Sequence, residues 1–309
     1  MDKIYDMIIV GGGPGGYTAA LYAARAGLDV LLIERLSAGG QMNLTGQIDN
    51  YPGFPDGVDG FQLSYNMQQQ AERFGAKTKY AEVLRLELEG KVKSVQTNEG
   101  SYRAKTVVIS TGANPRQLGV ERENEMIGRG IGYCAHCDGG FYRGKTVAVV
   151  GGGNSAAAEA LYLSRIAKEV ILVHRRDSLR ATQIYHKPLM DAPNIRFVWN
   201  SEVAALLGEE ILEGVKVRNL QSGEARVLEV QGLFVSIGRK PATDLVKEQL
   251  TLDEAGYIMA GEDTKTNIPG VYAVGDVRTK ELRQIVTAVA DGAMAAHVAE
   301  SFLAEGGAG

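Results

Sequence analysis

The stretch that decides the fold is YDMIIVGGGPGGYTAALYAARAGLDVLLIER, residues 5–35. It begins with a short run rich in Val and Ile, which is typical of a buried parallel strand. A glycine turn, an Ala-rich helical pattern and a second aliphatic run at Val30–Ile33 follow. Two parallel strands joined by a crossover helix in about 30 residues make one βαβ unit.

The same pattern returns at residues 145–175, which read KTVAVVGGGNSAAAEALYLSRIAKEVILVHR. The two stretches align without a gap at an offset of 140 residues. A single repeat at this spacing is not a solenoid. The sequence therefore predicts an α/β protein with two Rossmann-like, three-layer nucleotide-binding domains.

Both repeats carry the glycine spacing of a dinucleotide site. The first glycine makes the tight turn, the second lets the backbone approach a pyrophosphate, and a small third residue keeps helix and strand close. The pyrophosphate then lies at the helix N-terminus, where free N–H groups favour an anion. The residues concerned are Gly11, Gly13 and Gly16 in the first repeat, and Gly151, Gly153 and Ala156 in the second.

The end of the second strand distinguishes the two sites. Glu34 lies 18 residues after Gly16, where a carboxylate accepts hydrogen bonds from ribose hydroxyls. The matching residue in the second repeat is His174, and three arginines come after it, at 175, 176 and 180. Guanidinium groups hold a 2′-phosphate by charge-assisted hydrogen bonds. The first site is therefore expected to bind FAD, and the second NADPH rather than NADH.

Two further stretches favour a flavin in the first domain. An aliphatic strand ends on the small-residue turn Ser110-Thr111-Gly112, and IPGVYAVGDV, residues 268–277, places Asp276 after another buried strand. Asp276 can bond a ribityl or phosphate group there. The amphipathic, Ala-rich run from Arg283 to Leu303 predicts a helix packed on this domain.

The second domain is predicted to be inserted into the first. Gly- and Pro-containing segments at residues 111–115 and 236–241 are typical of linkers. The boundaries expected are 1–114 and 242–309 for a discontinuous FAD-binding domain, and 115–241 for the NADPH-binding domain. Alternating patterns at 77–107 and 202–235 predict small antiparallel sheets.

The inserted domain contains the two cysteines of the chain, in YCAHCDGG at residues 133–140. Cys134 and Cys137 can form a disulfide within one turn of chain, and thiol–disulfide exchange needs one attacking and one resolving sulfur. Asp138 can act as acid and base if burial raises its pKa.

Two other interpretations of the cysteines stay open at this point. A zinc site would need further ligands, and the four histidines show no finger-like spacing, so no metal is expected. The cysteines can also be small buried hydrophobes. A role for His136, between the two, is left open.

Composition narrows the function class. A net charge of −4 argues against general nucleic-acid binding. No apolar run reaches the roughly 20 residues of a membrane helix, and the acidic N-terminus does not resemble a signal peptide. We therefore expect a cytoplasmic protein with no membrane or nucleic-acid partner.

The motifs CAHCDG, GGGNSAAAEALYL, HRRDSLR and VYAVGDV resemble low-molecular-weight bacterial thioredoxin reductases, essentially end to end. The resemblance implies a homodimer, FAD and NADPH as cofactors, thioredoxin as partner, and a rotation between domains. It implies Cys134 and Cys137 as the redox pair with Asp138 as acid/base. The FAD contacts it implies are Gly11, Gly13, Gly16, Glu34, Gly40, Gln41, Asn50, Asp276, Arg283 and Gln284, to which the turn at Gly112 is added. The NADPH contacts expected are Gly151, Gly153, Ser155, His174, Arg175, Arg176 and Arg180.

The expected reaction passes electrons from NADPH to FAD, to Cys134–Cys137, and to the thioredoxin disulfide. The alternatives are a reductase or oxidase acting on another disulfide, a ferredoxin-fed relative, and a flavoprotein sensor without useful turnover. The Ala-His pair inside the cysteine motif departs from the family, in which Thr is commoner in the second place. Retention of the basic HRRDSLR group favours NADPH over ferredoxin.

Overall fold

The computed structural model describes residues 3–44 and 47–306, with all their side chains except those of Leu44 and His136. The question left open for His136 therefore falls outside the described side chains. The strands are β1 Ile4–Val10, β2 Val30–Glu34, β3 Gln47–Ile48, β4 Val58–Asp59, β5 Lys77–Tyr80, β6 Val83–Glu87, β7 Lys93–Thr97, β8 Gly100–Ile109, β9 Ala113–Pro115, β10 Ile131–Gly132, β11 Thr146–Val150, β12 Glu169–Val173, β13 Ile195–Val198, β14 Ser201–Leu207, β15 Gly214–Asn219, β16 Ala225–Glu229, β17 Gly232–Val235, β18 Arg239–Pro241 and β19 Val271–Ala273. The helices are α1 Pro14–Arg25, α2 Gly60–Arg73, α3 Glu123–Met126, α4 Ala135–Asp138, α5 Asn154–Ser164, α6 Gln183–Asp191 and α7 Ile285–Ala304.

The chain divides into two compact units. The first comprises Met1–Gly46, Tyr51–Asn114 and Lys240–Gly309, and the second comprises Gln47–Asn50 and Pro115–Arg239. The chain passes between them in β9 and β18, which pair as a two-stranded sheet. When the chain is divided by its internal contacts, the boundaries differ from the expected ones at two places. The first unit resumes at residue 240 rather than 242, and the segment 47–50 groups with the second unit.

The first unit is built on one sheet in the order β5-β2-β1-β8-β7-β6, with β19 also paired to β8. Strands β5, β2, β1, β8 and β19 run parallel, whereas β6, β7 and the start of β8 form an antiparallel meander. The middle of β1, Met7–Ile9, is fully buried, as expected for a parallel strand covered on both faces. Burial of each such side chain stabilises the fold by about 1.5–3 kcal/mol.

Two apolar layers enclose this sheet. On one side, the Ala-rich faces of α1 and α7 pack with Tyr17 and Val274. On the other, Leu86 and Val95 of the meander pack with Val246. The helix predicted for 283–303 is confirmed as α7, and the three-layer architecture is thereby in place.

The second unit repeats the design on a smaller scale. Its parallel sheet has the order β10-β17-β11-β12-β13, and β14, β15 and β16 form a separate antiparallel sheet. One core lies between the two sheets and includes Ile171 and Val217. The other lies under α5 and includes Ala160 and Leu172. The predicted fold class, with two nucleotide-binding domains, is confirmed. Within the described residues, no helix is long and apolar enough to cross a membrane.

Candidate active site

The predicted FAD residues gather at the carboxyl edge of the first sheet. The Gly11 turn comes after β1, Glu34 ends β2, and Gly112 lies three residues after β8. Asp276 lies in a short 3-10 helix, Gly275–Val277, after β19. Ligands of open parallel sheets bind in the crevice beyond this edge.

The first glycine turn leaves space where a nucleotide would need it. Gly11 has φ +105°, and a Cβ there would lie 2.3 Å from the carbonyl oxygen of Ser110. A Cβ on Gly16 would lie 2.1 Å from the Gly11 carbonyl oxygen, so these two glycines are required by the chain itself. By contrast, a Cβ on Gly13 would meet no atom of the described residues within 4 Å. Gly13 is also the N-cap of α1 and brings no side chain to its free N–H groups.

Glu34 is held beside this turn by the backbone. Its Oε2 accepts a hydrogen bond from the Gly12 N–H at 2.7 Å, and its Oε1 accepts one from the Leu36 N–H at 3.1 Å. A carboxylate offers about four lone-pair sites. Glu34 therefore keeps the capacity to accept hydrogen bonds from a ribose.

The other predicted FAD residues are placed differently. Gly40 lies 3.7 Å from Gly13, measured from the site of its absent Cβ to the Gly13 Cα, and Gln41 donates to the carbonyl oxygen of Ala113. Gln284 caps α7 through a reciprocal capping box with Thr287. These contacts bring Gly40 and Gln41 to the crevice.

Arg283 and Asn50 complete the predicted set. The Arg283 guanidinium lies 4.0 Å from the Tyr257 ring centroid, a cation–π contact. Its Nε is buried without a hydrogen-bond partner among the described residues. Asn50 is exposed and belongs to the segment that groups with the second unit, so its contact with FAD stays a prediction.

The second glycine turn has the same construction. Gly153 is the N-cap of α5, and a Cβ on it would meet nothing within 4 Å among the described residues. Gly151 has φ +149° and would place a Cβ 2.3 Å from the Ser236 carbonyl oxygen. The N–H of Arg180 donates to the Gly152 carbonyl oxygen at 2.7 Å, which draws this arginine to the turn. Ser155 is exposed on the first turn of α5.

His174 closes the second turn without a charge. It is 4% exposed, and a Cβ on Gly152 would lie 2.3 Å from its ring. Burial lowers the pKa of His174, and the charges of Arg180, Arg176 and Arg175 lower it further. The imidazole is thus neutral near pH 7, while the three guanidinium groups concentrate positive charge around it.

The two cysteines lie at the carboxyl edge of the parallel sheet of the second unit, where the second glycine turn also lies. Cys134 and Cys137 form a disulfide with an Sγ–Sγ distance of 2.10 Å. Cys134 is the N-cap of α4, two residues after edge strand β10, and its carbonyl oxygen accepts the N–H groups of Cys137 and Asp138, each at 3.1 Å. The described residues contain no group of three or more metal-ligating side chains.

Asp138, the residue after Cys137, is the candidate acid and base of the site. Burial raises its pKa from 3.8 to about 6. Its Oδ2 faces Gly132, where a Cβ would lie 3.0 Å away. A carboxyl with this pKa, one residue from a disulfide, can both give and take a proton near neutral pH.

The chain matches the family model for pyridine nucleotide-disulphide oxidoreductases over residues 5–292. The chain belongs to this family. It is 46% identical to a thioredoxin reductase of Streptomyces clavuligerus, over 98% of this chain and 95% of that protein. It is 44% identical to a bifunctional thioredoxin reductase/thioredoxin of Mycobacterium leprae, over 98% of this chain and 67% of that protein. The crystal structure of thioredoxin reductase from Streptococcus pyogenes superposes with a TM-score of 0.91 at 43% identity, covering 99% of this chain and 100% of that one.

The expected family resemblance is thus confirmed. Pyridine nucleotide-disulphide oxidoreductases of this type use FAD and NADPH, so the cofactor prediction is confirmed as well. The described residues fit both groups. Open space at Gly13 and Gly153, spare acceptor capacity at Glu34 and three arginines near His174 are the features that the two dinucleotides need.

In this pyridine nucleotide-disulphide oxidoreductase, the sequence did not predict a buried network of charged residues that contacts the turn carrying Asp276. Asp291 of α7 accepts hydrogen bonds from the Gly275 N–H at 2.8 Å, from Arg278 Nε at 2.9 Å and from Lys280 Nζ at 2.6 Å. Both cations and the acid are almost fully buried. The network fixes the turn that carries Asp276. Its signal was an acid on the otherwise apolar face of the C-terminal helix.

A second missed residue anchors the approach to the disulfide. Glu123 is 4% exposed and accepts the N–H groups of Leu118 and Gly119, each at 2.8 Å. The hydroxyl of Tyr133, which precedes Cys134, donates to it at 2.7 Å. No helical or strand periodicity in the sequence predicts that Glu123 is buried, because its hydrogen-bond partners lie outside regular secondary structure.

Proposed function

We propose that the protein is an NADPH-dependent, FAD-containing reductase of the thioredoxin disulfide. The observation that carries the proposal is the Cys134–Cys137 disulfide at the same sheet edge as the second glycine turn, one residue from a carboxyl that titrates near neutrality. The relatives at 40–46% identity that are named thioredoxin reductases support the same substrate. In the Mycobacterium leprae relative, reductase and thioredoxin share one name and one chain.

Each residue set has a distinct task. Gly13, the α1 N-terminus and Glu34 would hold FAD, while Gly153, the α5 N-terminus and the arginines after β12 would hold NADPH. When bound, FAD supplies two-electron transfer between the nicotinamide and the disulfide. The chain aligns both dinucleotides, and its side chains give protons to the two sulfurs and take protons from them.

The dithiol form carries out the exchange with thioredoxin. One sulfur of the Cys134–Cys137 pair, as thiolate, attacks the partner's disulfide and forms a mixed disulfide. The second sulfur then attacks the first, which re-forms the internal disulfide and releases the thioredoxin dithiol. Two electrons leave the enzyme in each round, and NADPH replaces them.

Asp138 handles the protons of this exchange. Its carboxyl protonates the leaving thiolate and afterwards takes a proton from the attacking thiol. Because its pKa is about 6, its protonated form is lost as the pH rises above that value. The proton-donating step should therefore slow at alkaline pH.

We also propose that the enzyme is a cytoplasmic homodimer. Phe61 and Tyr65 lie one turn apart on α2 and are 64% and 47% exposed, which suits an interface. Sedimentation equilibrium should give twice the mass of one chain, and a monomer at micromolar concentration would contradict the dimer.

Serine variants of the cysteines test the proposed function. Cys134→Ser and Cys137→Ser should each abolish NADPH-driven reduction of oxidised thioredoxin, because one sulfur cannot both attack and resolve. Flavin bleaching by NADPH should remain in both, since neither residue holds a nucleotide. Thioredoxin turnover in either variant would exclude the cysteine pair as the electron carrier. Bleaching in the wild type without thioredoxin turnover would instead indicate another disulfide substrate.

A further inference from the structure

Glu159 is a buried carboxyl that the mechanism above does not use. It lies in α5, and its Oε2 is buried without a hydrogen-bond partner among the described residues. A buried, unsatisfied polar atom costs about 1–3 kcal/mol. Such groups are rare in native structures and need an explanation.

The contacts of Glu159 lead to the disulfide. Its carboxyl accepts a hydrogen bond from the backbone N–H of Ala135 and another from the hydroxyl of Ser236. Ala135 is completely buried and is the residue between Cys134 and the rest of α4. Ser236 comes directly after β17, the neighbour of β10 in the sheet. Glu159 therefore ties the start of the redox loop to the helix that begins at the second glycine turn.

Asp138 and Arg239 are ionisable groups whose charges act on Glu159. Burial, helped by the charge of Asp138, raises the pKa of Glu159 to about 7, while the hydrogen bonds from Ser236 and Ala135 and the charge of Arg239 oppose the rise. Tyr142, in the 3-10 helix after α4, has its own pKa raised by burial and by Asp138. Asp138 and Glu159 are thus two largely buried carboxyls, and the charge of Asp138 disfavours ionisation of Glu159.

We propose that Glu159 is a positioning residue of the redox centre, which holds the backbone at Cys134–Ala135 and stores a proton that it exchanges through Asp138. The proposal rests on the proposed function for the source of electrons. Two electrons break the S–S bond and give two thiolates, and two protons convert these to thiols. Asp138 supplies the first proton, Glu159 re-protonates Asp138, and Asp138 then supplies the second proton, so both carboxyls end ionised. When thioredoxin is reduced, the S–S bond re-forms and the protons leave by the same route.

The test compares Glu159→Gln with wild type in the FAD-loaded enzyme. Gln keeps an acceptor for the Ala135 N–H but cannot hold a proton. The pH profile of thioredoxin turnover is recorded from about pH 5.5 to 8.5. We expect Glu159→Gln to be about fivefold to tenfold slower than wild type near pH 6.5, where Glu159 holds its proton, and to approach wild type near pH 8.5, where the wild-type carboxyl is already ionised. The KM for NADPH should not change.

Ser236→Ala is the matched control, because it removes the other hydrogen bond and leaves the carboxyl. It should keep the shape of the wild-type pH profile but move it to higher pH, because the Ser236 hydroxyl lowers the pKa of Glu159. A profile of Glu159→Gln that superimposes on wild type would overturn the proposal. An equal loss at every pH would also overturn it, since a merely structural contact behaves in that way.

A second measurement does not depend on thioredoxin. Redox-difference infrared spectra of the enzyme reduced with dithionite should show loss of protonated-carboxyl absorption from two groups in wild type. One contribution should be missing in Glu159→Gln and the other in Asp138→Asn. Identical spectra in Glu159→Gln and wild type would contradict the proton store. If wild type shows the infrared signal of both carboxyls but does not reduce thioredoxin, the proposed substrate is wrong and the role of Glu159 stands.

Discussion

The glycine turn after β1 and the glycine turn after β11 share a backbone path but differ in the side chain that closes them. The first is closed by Glu34, whose Oε2 accepts the Gly12 N–H at 2.7 Å. The second is closed by His174, a buried ring packed on Gly152 and kept neutral by burial and three arginines. One turn therefore presents an acceptor for ribose hydroxyls, and the other presents a cationic surface for a phosphate.

This difference separates binding of a pyrophosphate from recognition of the rest of the nucleotide. The turn and the helix N-terminus act on a group that both dinucleotides possess. Selectivity depends on the residue at the end of the second strand and on the few residues after it. A repeat can thus keep its fold and change its ligand through four or five side chains.

The largest effect is expected at the turn after β19 in the first unit, which a buried ion-pair network holds. Asp291→Asn should cost about 3–5 kcal/mol of unfolding free energy, because it leaves Arg278 and Lys280 buried without their carboxylate. FAD retention should fall with it, since the Gly275 turn loses its anchor. Denaturant unfolding and the flavin-to-protein ratio after gel filtration measure both losses.

The surface salt bridge Lys187–Asp191 provides the control for that experiment. Asp191→Asn should change stability by less than about 1 kcal/mol, because exposed pairs contribute little. An Asp291→Asn protein as stable and as flavin-rich as wild type would show that the network does not support the turn.

The next largest effect is expected when the arginines that distinguish the second glycine turn from the first are removed. Replacing both Arg175 and Arg176 with Ala should raise the KM for NADPH by at least about tenfold, since the loss of even one charge-assisted contact costs roughly 1.5–3 kcal/mol. The KM for NADH should change little, because NADH has no 2′-phosphate. An equal rise for both coenzymes would contradict the phosphate assignment.

The smallest effect is expected at Gly13 and Gly153, the middle glycines of the two turns, and it tests whether each turn binds its own dinucleotide. Gly13→Ala should weaken FAD retention and leave NADPH affinity unchanged, and Gly153→Ala should do the reverse. Each methyl group enters space that is open in the chain, so both variants should fold. A loss of about 1–3 kcal/mol of binding free energy is expected for each from crowding of the pyrophosphate. NADP⁺ binding can be followed by the fluorescence of Trp199, which we expect to change because its ring centroid lies 6.3 Å from that of His174.

Much of the site could be predicted because local sequence determines it. Gly11 and Gly16 are required by the tight turn itself, and the positions of Glu34 and His174 are set by the length of a βαβ unit. The carboxyl ends of parallel strands share one edge, which also brings Cys134 to the edge where Gly151 lies. These features depend on spacing and on general rules of sheet topology.

The remainder depends on contacts between residues far apart in the chain. Glu159 reaches Ala135 and Ser236, and Asp291 reaches Gly275, through packing that no periodic pattern encodes. The grouping of residues 47–50 with the second unit also has no local signal. A buried acid in a helix that is otherwise Ala-rich is the one trace that such residues leave in the sequence.

The most direct test of the account is steady-state oxidation of NADPH and of NADH by the purified, FAD-loaded protein with oxidised bacterial thioredoxin. We predict rapid turnover with NADPH and kcat/KM for NADH lower by about tenfold or more, because NADH lacks the phosphate that the arginines bind. Equal turnover with both coenzymes would contradict the division of labour between the two glycine turns. No bleaching of the flavin by NADPH would contradict it more deeply, since electrons would then enter from another donor such as ferredoxin.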